Sequence, residues 1–335
     1  MSYYKIFNLD CEPFSTSPDP RFFYLSKVHR AALFRIRIAI ELKRGLSVVV
    51  GDIGTGKSTM ARKLSQVFYK DPQIDFHAIL NPMDQYEGQF LHTLLTTFRI
   101  PTEELAGGMH QALHAIEKYL FQKGLSERKT VVLLIDEAQL LSEKSLEILR
   151  ALLNYETNQF KLLQLVLVGQ LELITKLMNT PNFWDRISLK LLIPPLSEKE
   201  TMEMIQYRLQ QAKFKEKYDL FTEEAMKHVY TLSQGYPRRI NLICHDALEY
   251  LVMMDKPQAD VQVIREVMQT EHEFFKHSVQ GRETNELPAY PLRIQRPFLD
   301  ETMKMEEEQD PSWQDLPATA KKFDPMISEG AYGGA

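Results

Sequence analysis

The sequence predicts a doubly wound α/β domain followed by a smaller, separate helical domain. Three observations predict it. Gly51-Asp52-Ile53-Gly54-Thr55-Gly56-Lys57-Ser58-Thr59 matches the phosphate-loop pattern G-x-x-x-x-G-K-[ST] at every fixed position. The loop is flanked by an apolar, β-branched stretch at 46–50 and by helical spacing of apolar residues at 60–68. Further apolar strand patterns then alternate with helical ones as far as residue 193, and none appears beyond residue 197.

Residues 1–28 are rich in aromatics and prolines. Each proline opposes helix in the residue before it, so the segment reads as extended along a surface and is grouped with the α/β domain. Residues 28–43 read as a helix, with His29, Arg30, Arg35, Arg37, Lys43 and Arg44 as a solvated basic face. Strand 46–50, the glycine loop and helix 60–68 follow. Residues 74–80 form a second strand, stopped by Asn81-Pro82. Helices are predicted over 86–97 and 109–122, with a turn at Gly107-Gly108. The unbroken apolar run 130–135 is a strand buried on both faces, and it ends in Asp136-Glu137. Residues 145–155 are an amphipathic helix, and 162–168 are another buried strand, leading to Gly169-Gln170. A last strand, 187–193, stops at Pro194-Pro195.

Ser197 and Glu200 make a capping box that opens a helix to about residue 212. A second helix starts at Thr222, Gly235-Tyr236-Pro237 interrupts, and 238–254 and 259–277 complete the helical part. The expected domains are therefore 1–196, 197–277 and a disordered acidic tail, 278–335. That tail holds eleven acidic against six basic residues from Gly281 onward, which accounts for the whole net charge of −5. The neutral body gives no electrostatic reason to favour nucleic acid as a partner. Two distant cysteines, Cys11 and Cys244, form no disulfide framework, and a reducing, cytoplasmic setting fits them. No run of eighteen apolar residues is present, so no transmembrane segment is expected. His272 and His277 imitate a zinc motif, but their i, i+5 spacing turns the rings about 140° apart on a helix, too far to share a metal.

The loop composition carries chemistry. Glycines let successive N–H groups converge on an anion, and the following helix adds its positive end. Lys57 is placed to reach β- and γ-phosphates and the Ser58 hydroxyl to ligate Mg²⁺. Two adjacent acids at the exit of a buried strand have no packing rationale. With a phosphate loop present, Asp136 is expected at the Mg²⁺ and Glu137 at the attacking water, the arrangement of an ATP hydrolase.

These motifs have a family pattern. The loop, Leu133-Leu134-Ile135-Asp136-Glu137-Ala138-Gln139, Val166-Leu167-Val168-Gly169-Gln170 and Gly235-Tyr236-Pro237-Arg238-Arg239-Ile240-Asn241 resemble the AAA+ ATPases of the ExeA/GspA family, within the ASCE phosphate-loop NTPases. So does the opening, Phe7-Asn8-Leu9 with Pro13-Phe14 and Pro18-Asp19-Pro20-Arg21-Phe22-Phe23. The resemblance covers residues 3–275. It implies a sensor-1 role for Gln170 and a sensor-2 role for Arg238, with Arg239 the second choice, and an arginine finger at Arg186 acting on a neighbouring subunit. It also implies Pro13 and Phe14 near the adenine, ATP and Mg²⁺ as cofactors, and a homo-oligomer when ATP is bound. Secretion or envelope-export components are the implied partners, with peripheral association at the inner face of the cell membrane. The chain departs from the pattern in ending on a polar tail where secretion members continue into a transmembrane helix and periplasmic part, and in Leu171 where proline is common. A DNA-linked ATPase of the transposition or loader kind and a nucleotide-gated scaffold are the two alternatives.

Overall fold

The computed structural model describes residues 3–17, 19–83, 87–180, 182–215 and 218–269. The helix start at Tyr86, Pro18 of the opening motif, the 272–277 histidine pair and the acidic tail lie outside the described residues. All described residues belong to one compact unit, residues 1–278.

Five parallel strands make the sheet: β1 (Leu46–Val50), β2 (Ile74–Ile79), β3 (Thr130–Ile135), β4 (Leu163–Gly169) and β5 (Ile187–Leu192), in the order β2-β3-β4-β1-β5. β1 and β4 are buried along their whole length, Ser47 and Gln164 included, and β3 along all but its first residue, as predominantly apolar runs with no alternation require. Edge strand β5 instead alternates, turning Ser188 and Lys190 outward. β4 lies between the strand that carries the glycine loop and the strand that carries the acids. Its register, Val50 opposite Gly169 and Ile135 opposite Leu167, aligns the carboxyl ends of all three. The crevice there is where an open α/β sheet binds ligands.

Helices α2 (Lys27–Glu41), α3 (Lys57–Phe68), α4 (Glu87–Thr97), α5 (Gly108–Phe121), α6 (Glu143–Leu152) and α7 (Glu172–Asn179) accompany the sheet, and α1 (Tyr3–Ile6) is a single turn at the start. Boundaries shift where a cap was overlooked. The helix expected from Ser145 starts at Glu143, because the Ser142 side chain accepts from the Ser145 N–H. The helix after the loop starts at Lys57, within the motif, with left-handed Gly56 as its cap. The helical part holds α8 (Glu198–Gln211), opened by the Ser197/Glu200 capping box, α9 (Glu223–Ser233), α10 (Pro237–Met253) and a further helical stretch over 261–269.

The N-terminal segment differs from the expectation of an extended strap on the α/β part. It opens with α1, makes a 3-10 turn at Pro20–Phe22, and buries Phe7, Leu9, Phe14 and Phe22 in the core of the helical part. Sequence proximity suggested the wrong neighbour. The apolar faces of α8, α9 and α10 leave a groove that these side chains fill, with Phe14 edge-on to Phe221.

The joint between the two parts is tight at Gly235. Its φ is +75°, its carbonyl accepts from the Leu196 N–H at 2.8 Å, and a Cβ there would lie 2.0 Å from the Leu196 oxygen. Gly235→Ala is therefore expected to destabilise the protein by at least about 2 kcal/mol, from left-handed strain plus displacement of the backbone. A thermal melt checks this; an unchanged midpoint would contradict the close approach.

Candidate functional site

The loop after β1 is closed by its own chain. Gly54 and Gly56 sit at φ +83° and +96°, where a Cβ is strained. The Thr55 hydroxyl donates to the Asp52 carbonyl at 2.9 Å, and the Lys57 ammonium donates to the same oxygen at 2.7 Å. Gly51 is glycine for space: a Cβ would lie 2.5 Å from the Ile193 oxygen. Burial pushes the Lys57 ammonium below its ordinary pKa, while Glu137, Asp136 and Asp52 push it back up.

Asp136 leaves β3 buried. Burial holds its carboxyl above the usual carboxylate range, opposed by hydrogen bonds from the Ser58 hydroxyl and the Glu137 N–H, the latter at 3.0 Å. Serine hydroxyl and carboxylate thus meet as a hard-oxygen pair beside the loop, the donor set that suits Mg²⁺. A raised carboxyl pKa means that folding favours the protonated form. The charged carboxylate therefore costs stability above that pKa, and the cost disappears as pH falls below it. Asp136→Asn is expected to raise the melting temperature of the nucleotide-free protein at pH 8, with the gap over wild type closing on acidification. A lower melting temperature at pH 8 would contradict this account.

Glu137, with φ +53°, turns out of the strand line, and its carboxylate lines a cavity of 390 Å³. Gln139 holds it: the amide nitrogen donates to Glu137 Oε2 at 2.6 Å, and the amide oxygen accepts from the Gln170 N–H at 3.0 Å. Gln170, at the end of β4, lines the same cavity, as do Ile53, Gly54, Gly56, Lys57, Ser58, Thr59 and Arg238. Arg238 reaches the loop from the first turn of α10. Its N–H donates to the Gly54 carbonyl at 3.3 Å, and its Cβ packs on Gly54. Beside it, the Tyr236 hydroxyl donates to the Asp52 carboxylate at 2.9 Å, and the Arg239 guanidinium lies 4.8 Å from the Tyr236 ring. Arg186 is elsewhere. It precedes β5, whose start pairs with the start of β1, so it stands at the opposite end of the strands from the loop, donating to the Asn154 side-chain oxygen.

Residues 40–177 match the family model for an AAA domain. General secretion pathway protein A of Aeromonas hydrophila is 36% identical over 249 residues, 73% of this chain and 44% of that protein. The chain belongs to the ExeA/GspA family of AAA+ proteins. It spans under half the length of that relative. An uncharacterised HTH-type transcriptional regulator of Methanocaldococcus jannaschii is 29% identical over 48% of this chain and 40% of its own. Among solved structures, the Aeropyrum pernix ORC2 protein aligns at TM-score 0.56 and 16% identity, covering 78% of this chain and 71% of that one. Cdc6p of Pyrobaculum aerophilum aligns at TM-score 0.56 and 17% identity, covering 73% and 67%. At such identities these show the fold, an AAA-type phosphate-loop NTPase.

Three contributors to this family member's site were not singled out from sequence. His29, read as part of a solvated basic face, is 1% exposed. Its Nε2–H donates to the Thr55 carbonyl at 3.0 Å, which leaves Nδ1 to accept from the Ser26 hydroxyl at 2.9 Å. Burial lowers its pKa, so a neutral imidazole braces the loop. The signal was present: Ser26 three residues before His29 is an N-cap spacing, and it turns that position inward. Arg208 and Asn241 also line the cavity, and the Asn241 side-chain oxygen is buried with no hydrogen-bond partner among the described residues. Asn241 closes the Gly235–Asn241 motif, which assigned it no role, and Arg208 had no sequence signal beyond helical periodicity.

Proposed function

We propose that the cavity binds MgATP and hydrolyses it. The observation that carries this is the convergence of Lys57, the Ser58–Asp136 pair, Glu137, Gln170 and Arg238 on one crevice at the strand ends. The loop from Gly51 to Thr59 cradles phosphates through its N–H groups and the start of α3. Lys57 exchanges the Asp52 carbonyl for phosphate oxygens when nucleotide arrives. Ser58 and Asp136 would hold Mg²⁺, which supplies neutralising charge along the phosphates when bound. Glu137, held by Gln139, orients the attacking water and takes its proton. Gln170 and Arg238 face the end of the phosphate chain, where charge develops in the transition state. Phosphate release from ATP with Mg²⁺, lost on chelation and absent in Lys57→Ala, tests this; undetectable release from intact protein that binds ATP would leave a nucleotide-gated scaffold.

The output proposed is the assembly or remodelling of a secretion or envelope-export complex, on the strength of the identity with general secretion pathway protein A. The subunit is proposed to be cytoplasmic, acting as a homo-oligomer, with peripheral contact at the inner membrane face. Among the described residues no helix is long and apolar enough to cross a membrane. A second reading, a DNA-linked ATPase, is favoured by the relative named as an HTH-type regulator. Loss of exported or surface material on deleting the gene supports the first. ATPase stimulation by duplex DNA that falls steeply between about 50 and 200 mM salt supports the second.

A further inference from the structure

We propose that Arg208 is a positioning residue for nucleotide binding, fastening residues 13–17 and 19–22 against α8 so that they form the wall meeting the base and sugar. This rests on the nucleotide reading of the cavity. Arg208 is only 7% exposed. Its donors go to main-chain carbonyls of the N-terminal segment: Nε to Pro13 at 2.7 Å, Nη2 to Ser15 at 3.0 Å and Nη1 to Phe22 at 3.4 Å. The guanidinium also lies 5.4 Å from the Phe22 ring.

A planar fork with donors pointing three ways can hold three carbonyls that diverge; an ammonium on a flexible stem cannot. The segment needs such a clamp. Its described residues belong to no sheet, and the regular element among them is the turn at Pro20–Phe22. α8 holds the same strap at a second point, where the Tyr207 hydroxyl donates to the Arg21 carbonyl at 3.1 Å, and just beyond the strap Glu200 accepts from the N–H of Lys27, the first residue of α2, at 3.2 Å.

What the clamp holds is part of the cavity. Thr16, Ser17, Phe22 and Phe23 line it, facing the phosphate loop. With Asp19, which also lines the cavity, they offer aromatic faces, hydroxyls and a carboxylate, and none of these side chains is a cation. That chemistry suits a purine and a ribose, whereas the loop suits phosphate. The far end of the strap is tied to the loop itself, since Phe23 packs edge-on against His29 at 5.1 Å and both stand over Gly56. The strap's position against the loop is therefore set at one end by His29 and along its length by Arg208.

The test compares ATP with inorganic tripolyphosphate, each with Mg²⁺, by calorimetric titration of wild type and Arg208→Lys, beside steady-state kinetics. The expected result is a tenfold or greater weakening of ATP in the variant, tripolyphosphate within about twofold, and a raised KM with kcat within about threefold. Equal weakening of both ligands would mean general damage to the fold and would overturn the assignment, as would an unchanged ATP affinity. Should the variant fail to fold, hydrogen exchange on wild type decides: amides of residues 14–17, 19 and 21–24 should gain protection with ATP and not with tripolyphosphate, and equal protection by both overturns the proposal. Wild type that binds neither ligand would sink the nucleotide reading and this proposal together. Wild type that binds ATP no better than tripolyphosphate sinks the strap wall alone.

Discussion

Glu137→Gln should bind ATP as wild type does and turn it over at least about a hundredfold more slowly, the range that loss of a general base produces. The substitution is nearly isosteric, and the amide can still pair with Gln139, whose side chain sits 2.6 Å from the carboxylate. It removes the capacity to accept a proton, and with it the negative charge that aligns a water. Lys57→Ala should fail differently. Its ammonium is buried against the loop and would lie on the phosphates in the ground state as well as the transition state, so binding itself should weaken. Equilibrium binding of a fluorescent ATP analogue together with phosphate release separates the two. Wild-type turnover in Glu137→Gln would remove Glu137 from the general-base role.

The sheet was legible because its signal is local. Runs such as 131–135, wholly apolar, and 163–168, apolar but for a buried Gln164, are buried on both faces, and a chain that alternates them with helices has few topologies open to it. The phosphate loop and the acidic pair were legible for a related reason: a fixed spacing of glycines, lysine and hydroxyl, or two acids at a strand exit, has no packing explanation. Strand register then brings Gln170 between them without any motif of its own being needed.

The side chains that hold the site residues in place were not legible. Gln139 stands two residues beyond Glu137, yet only the turn that Glu137 makes at φ +53° points its amide to both Glu137 and Gln170. His29 and Arg208 carry charge-bearing side chains that composition assigns to the surface, and each is instead buried by contacts with residues distant in sequence, Thr55 for one and Pro13 to Phe22 for the other. The strap was misplaced for the same reason. Prolines report that a segment is not helical; they do not report which groove will take its phenylalanines.

Arg186→Ala should lower turnover by roughly a hundredfold or more with little change in ATP affinity, the signature of charge supplied to the transition state by an arginine finger. Within one subunit the residue stands at the amino ends of the strands, hydrogen-bonded to Asn154, while the phosphate loop is at their carboxyl ends. It can act on a nucleotide only across a boundary, in a head-to-tail assembly where one surface of each subunit meets a different surface of the next. That geometry makes a mixing experiment decisive. Glu137→Gln keeps an intact Arg186, and Arg186→Ala keeps an intact Glu137. Each alone has no interface with both groups. In an equal mixture, about one interface in four pairs an intact Glu137 with an intact Arg186 if assembly is random. Partial recovery of ATPase on mixing, absent for either variant alone, is the expected result. A strictly monomeric mass in ATP, specific activity independent of concentration and no recovery on mixing would leave Arg186 as a surface residue bonded to Asn154, and the proposed oligomer would fall with it.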